Sequence, residues 1–167
     1  EAIGIYSNAI TIASIITVVQ SGFNTFWTPF VYEFYKTGQK KIQQMHHLIT
    51  FIMIFIALCI ILFQDIIYRI LVNSQYWESK RIFGLLLISP ICITISETLG
   101  LGIELKKRTI LKLPAYLSNI IVNLILSVLL LPKFGLFGVS ISSAFSSITM
   151  LLIKTYIGEK YYKCSDN

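Results

Sequence analysis

Glu97 stands in the apolar run 82–105, which holds no other charged residue except Glu104 near its end. Placed eight residues before Leu105, it lies about 12 Å from the end of a helix. Moving a charged side chain to the bilayer centre costs roughly 2.5–3.5 kcal/mol on insertion scales, so an intramembrane carboxylate faces a partner or a cavity. At helical spacing Pro90, Thr94, Glu97, Gly100 and Glu104 share one face. Two readings stay open: a carboxylate paired for structure near the interface, or a protonatable or cation-binding group on a transport pathway. Other polar stripes recur nearby. Ser7, Thr11, Ser14, Thr17, Ser21, Asn24, Thr25 and Thr28 fall three or four apart, within about a third of a helix circumference, with Gln20 just beyond the edge. Lys112, Tyr116, Asn119, Asn123 and Ser127 fall within an arc of about 80° at helical spacing. Amides in hydrocarbon need partners, so these side chains either tie helices together or line a polar pocket. The hydroxyl stripe has the same two readings, close packing or a wet cavity, and its length favours the cavity. Gly135, Gly138, Ser142, Ser146 and Thr149 form a ladder of small residues suited to helix packing.

The elements that carry these stripes are long apolar runs. The candidate spans are 3–30, 48–71, 82–105, 111–131 and 136–157, and about 20 residues suffice to cross a hydrocarbon core. With 55% hydrophobic and 13% charged residues, the chain leaves loops too short for a separate soluble domain. The expected architecture is an all-α integral membrane protein, a single transmembrane domain over 1–167 built of five transmembrane helices. Pro29 is expected to end the first span. The second, nearly purely apolar over 48–63, is expected to face lipid. The chain opens at Glu1 without an initiator Met or a basic n-region and reads as the tail of something longer.

Several chemistries are not expected. Cys59, Cys92 and Cys164 have neither the even count nor the pairing of a disulfide framework and read as small apolar fillers. His46 and His47 have no Cys, Asp or Glu at ligand spacing, so no metal site is expected there. Asp65 and Arg69, four apart, suggest a surface ion pair. No Ser/His/Asp, Cys/His or phosphate-loop pattern appears, and neither a cofactor nor enzymatic chemistry is expected. The net charge of +6 gathers at the ends of apolar runs, which points to membrane lipids and away from nucleic acid.

Charge also orients the chain. Lys36, Lys40, Lys41, Lys106, Lys107, Arg108, Lys112, Lys154, Lys160 and Lys163, ten of fourteen Lys and Arg, fall on one side of the five spans. Arg69, Lys80, Arg81 and Lys133 fall on the other. The positive-inside rule places the first side in the cytoplasm, with Glu1 outside and Asn167 inside. Trp27, Tyr32 and Tyr35 at one end and Tyr68, Tyr76 and Trp77 at the other fit interfacial belts.

The segment Leu131-Pro132-Lys133-Phe134-Gly135-Leu136-Phe137-Gly138, with Asn123 nine residues before Pro132, resembles the penultimate hairpin of polysaccharide flippases of the MATE-like (MOP) exporter superfamily. Gly4-Ile5-Tyr6-Ser7 and Phe26-Trp27-Thr28-Pro29-Phe30 look like the eighth helix of the same family. Ser127 stands where a second Asn is common, and Val139-Ser140 replaces a usual Ala pair. The resemblance implies a two-lobed transporter, of which this chain would be most of the C-terminal lobe, completed by an N-terminal lobe. It implies transport of undecaprenyl-diphosphate-linked oligosaccharide repeat units across the bacterial inner membrane, next to polysaccharide-assembly proteins. On this reading Ser14, Ser21, Asn24, Glu97, Asn119 and Asn123 are pathway candidates, while Lys106, Lys107, Arg108 and Lys112 form a basic rim for the head group. The competing classes are a multidrug exporter of the same superfamily and a membrane-bound polysaccharide polymerase or ligase. The last tends to carry Arg and His in a large outer loop, whereas 65–81 is short and has no His.

Overall fold

The computed structural model describes residues 2–105 and 108–161, and among them every regular element is helical. The order is α1 (Ala2–Phe34), α2 (Gln39–Leu62), α3 (Gln64–Leu71), a 3₁₀ turn (Ser74–Ser79), α4 (Lys80–Leu86), α5 (Ile88–Leu99), α6 (Leu101–Leu105), a second 3₁₀ turn (Thr109–Lys112) and α7 (Leu113–Tyr161). Four helical stretches, Gly4–Phe34, Gln39–Leu62, Tyr76–Leu99 and Thr109–Tyr161, are long and apolar enough to cross a membrane.

The last stretch folds back on itself. Gly135 has φ 58° and ψ −139°, a non-helical conformation inside α7. A Cβ on Gly138 would stand 2.6 Å from the Leu130 carbonyl oxygen, and Asn123 Nδ2 donates to Ser143 Oγ at 3.2 Å and Ser146 Oγ at 3.3 Å. In a straight helix, rising 1.5 Å per residue, residues 123 and 143 would be roughly 30 Å apart. Residues on opposite sides of Gly135 therefore meet, and α7 is an antiparallel helical hairpin with limbs 113–134 and 136–161. Only glycine adopts this backbone conformation without strain.

Burial follows helical period. Ala9, Ile12, Ala13, Ile16, Gln20, Trp27 and Val31 form the buried stripe of α1, and Ile42, Ile49, Met53, Ala57 and Ile60 that of α2. Leu48, Phe51, Phe55, Leu58 and Leu62 on the opposite side of α2 are exposed, the surface expected of a lipid-facing helix. Trp27, Val31, Ile42 and Leu101 form a separate small core at the other end of the bundle from Tyr68, Val72, Ile82 and Phe83.

Four local expectations are corrected. Pro29 does not end the first helix, which runs on to Phe34; proline deletes one donor and its ring clashes with one carbonyl, a defect that packed membrane helices absorb. The second helix begins at Gln39, so Lys40, Lys41, His46 and His47 lie on α2 itself. It also stops earlier, at Leu62, and α3 continues after Phe63. Asp65 pairs with Lys80 across the connection, not with Arg69 on its own helix.

Candidate functional site

A knot of charge sits where α5 meets the α7 hairpin. Glu97 Oε1 lies 2.5 Å from Lys154 Nζ, Glu97 Oε2 lies 3.6 Å from Lys112 Nζ, and Tyr116 donates its hydroxyl to Glu97 Oε1 at 3.3 Å. Lys112 also donates to Glu104 Oε1 at 2.7 Å. Lys154 is wholly buried, and its Nζ is 5.6 Å from the centre of the Tyr116 ring. The formal charges of Glu97, Glu104, Lys112 and Lys154 cancel, which makes their joint burial tolerable. Alignment is imperfect: Lys154 Nζ has three donors and no well-directed acceptor among the described residues.

Backbone sterics let Lys154 reach this position. A Cβ on Gly100 would stand 2.9 Å from Lys154 Cε, and one on Gly158 would stand 2.6 Å from the Leu99 carbonyl oxygen. Two glycines thus bring the second limb of α7 against the α5–α6 junction, where α5 ends at Gly100. The lysine stem crosses Gly100 to meet Glu97.

One turn along α5 from Glu97, a cavity of about 270 Å³ opens between α1, α4, α5 and the hairpin, lined by Ser14, Thr17, Ser89, Ile93 and Ser143 among others. Ser89 Oγ donates to the Ser143 carbonyl at 3.3 Å and lies 2.9 Å from Ser147 Oγ. The α1 stripe bordering this cavity is exposed, and its hydroxyls bond to their own helix: Thr11 to Ser7 O (2.9 Å), Ser14 to Thr11 O (2.6 Å), Thr17 to Ser14 O (2.6 Å), Ser21 to Thr17 O (2.8 Å) and Thr25 to Ser21 O (3.0 Å).

The pathway candidates divide accordingly. Ser14 lines the cavity and Ser21 extends the same exposed stripe. Asn24 is half-buried, its Oδ1 enclosed without a hydrogen-bond partner among the described residues. Glu97 turns toward the hairpin. Asn123 ties the two hairpin limbs together, and Asn119 Nδ2 lies 3.8 Å from Met150 Sδ in the same seam. Lys112 of the basic rim joins the charge knot, Arg108 is exposed, and Lys106 and Lys107 lie outside the described residues. Lys154, counted by sequence among interfacial basic residues, is corrected to a buried partner of Glu97. Its signal was an unmatched carboxylate in another span, which a search for the complementary cation could have paired. Also unforeseen is a helix-to-helix bond, His46 Nδ1 to Thr98 Oγ1 at 2.7 Å. Among the described residues no group of His, Cys, Asp and Glu could hold a metal.

Among the described residues, fold and site together define a helical protein with membrane-length apolar helices and a buried charge network at their contact. Comparison of the chain with protein-family models, curated proteins and solved structures finds no match.

Proposed function

We propose that the chain is the C-terminal part of a MATE-like polysaccharide flippase with five membrane crossings, the α7 hairpin supplying the last two. It moves undecaprenyl-diphosphate-linked oligosaccharide repeat units from the cytoplasmic to the outer leaflet of a bacterial inner membrane by alternating access against an N-terminal lobe. The observation that carries this reading is the Glu97–Lys154 pair in the interior of apolar helices, one turn from a cavity bordered by hydroxyls. Ionisable groups at such depth mark transport pathways far more often than lipid-facing surfaces. A flippase shelters a sugar head group among polar side chains while its lipid tail stays in hydrocarbon, and the exposed hydroxyl stripe of α1 beside the apolar surface of α2 supports that division. The basic end, with Lys36, Lys40, Lys41 and Arg108, faces the cytoplasm on this reading and attracts the diphosphate. No bond is made or broken.

Deletion of the intact gene is expected to abolish surface polysaccharide while lipid-linked repeat units accumulate in the inner leaflet. Replacing Glu97 or Lys154 alone is expected to reproduce part of that defect at unchanged protein level. Normal surface polysaccharide in a strain lacking any second flippase would exclude the function, and lost tolerance to toxic small molecules would assign the chain to the drug exporters instead.

A further inference from the structure

A second, larger cavity, about 880 Å³, lies at the end of the bundle where the α7 hairpin turns, lined by Ile5, Glu78, Arg81, Ile82, Phe134, Leu136 and Phe137. Its two charged residues are three apart across the 3₁₀ turn and α4, which places them side by side on one face. Both are exposed, and among the described residues neither makes an ion pair. Lys80 between them is neutralised by Asp65, so it adds no charge to the cavity. The backbone that carries them is pinned: Ser79 is fully buried and shares hydrogen bonds with Tyr68 OH at 3.0 Å and the Tyr76 carbonyl at 2.7 Å. A Cβ on Gly4 would stand 2.8 Å from the Tyr76 ring, so α1 closes the side beside Ile5.

We propose that this cavity binds the head group of a zwitterionic phospholipid, with the phosphate on Arg81 and the ammonium on Glu78. Opposite charges carried side by side on a held backbone without pairing to each other match a ligand that carries both signs a short bridge apart. An anionic ligand would meet Glu78 as a repulsion, and a neutral saccharide would gain no charge attraction from either residue. Tyr76, packed against Gly4 next to Ile5, is a residue type that settles at head-group level. Ile5, Ile82 and Leu136, with the exposed rings of Phe134 and Phe137, provide an apolar wall for the glycerol and upper acyl chain. The site stands whether or not the protein moves a saccharide.

Native mass spectrometry of the purified intact protein in mixed micelles of phosphatidylethanolamine and phosphatidylglycerol tests it. Phosphatidylethanolamine is expected to be retained about tenfold over phosphatidylglycerol, and Arg81→Gln or Glu78→Gln each to reduce its retention about tenfold, the worth of one hydrogen bond to a charged group. Lys133→Gln, at the hairpin tip but outside the cavity lining, is expected to change nothing. Unchanged helicity by circular dichroism separates lost binding from lost fold. Equal retention of the two lipids, loss with Arg81→Gln but not Glu78→Gln, or displacement by a soluble oligosaccharide overturns the proposal.

Discussion

Lys154 and Glu97, on α7 and α5, meet at 2.5 Å, with the lysine wholly buried and the carboxylate side chain 16% exposed. Each is the other's closest compensation; Lys112, 3.6 Å from the carboxylate, is the next.

That coupling gives a double-mutant signature. Glu97→Gln and Lys154→Met are each expected to destabilise the protein by roughly 3 kcal/mol, the cost of breaking a buried pair from one side. The double variant is expected to recover much of that loss. Thermal unfolding in one detergent at one lipid content measures all four proteins; strictly additive losses would show that the two residues are not coupled.

Glycine at 158 is expected to be irreplaceable for steric reasons. Gly158→Ala forces a methyl group to within 2.6 Å of the Leu99 carbonyl and separates α7 from α5. The expected loss is about 1–3 kcal/mol, as for other overpacked contacts. Gly84→Ala, where an added methyl meets nothing within 4 Å, is the control and is expected to be neutral or stabilising. Equal effects at both positions would contradict the close approach.

Gly135→Ala is expected to weaken the hairpin turn by about 1–3 kcal/mol, because an alanine must then hold a left-handed conformation open almost exclusively to glycine. A disulfide between cysteines placed at 123 and 143 reads the result directly: it should close readily in the parent hairpin and more slowly with Ala at 135.

The hydrogen bond between α2 and α5 fixes a tautomer. Thr98 Oγ1 already donates to the Ile95 carbonyl at 2.8 Å, so at 2.7 Å it accepts from His46 Nδ1–H. His46→Asn, which keeps a donor at the same reach, is expected to preserve stability, whereas His46→Ala loses about 1 kcal/mol. Nitrogen chemical shifts of labelled histidine should report a protonated Nδ1 at high pH; a protonated Nε2 there would reverse the assignment.

Much of the fold was legible because it rests on local pattern. The apolar runs, the exposed face of α2 and the break between 131 and 136 follow from composition, whereas Gly135, a member of the small-residue ladder by spacing, leaves the helix and makes the turn. Helix ends were less legible: Pro29 and Lys40 are individually poor helix signals, yet packing at Trp27, Val31 and Ile42 carries both helices past them. The site was read by halves. Glu97 stood out in its own span, but Lys154 looked like any basic residue near a helix end, because what buries it is a glycine contact with a distant segment. Asn119 and Asn123 carried the right chemistry, and periodicity alone could not say that α7 would turn their side chains toward its own second limb.

Five hydroxyls of the α1 stripe, those of Thr11, Ser14, Thr17, Ser21 and Thr25, donate to the helix's own carbonyls, and what they display is a column of lone pairs. Such a surface discriminates by sign: it welcomes the O–H of a sugar or a water and the N–H of an amide or ammonium, and it offers nothing to a phosphate. A ligand bearing both hydroxyls and phosphates would therefore be sorted along its length, its hydroxyl-rich portion against α1 and its anionic portion held where lysine and arginine remain.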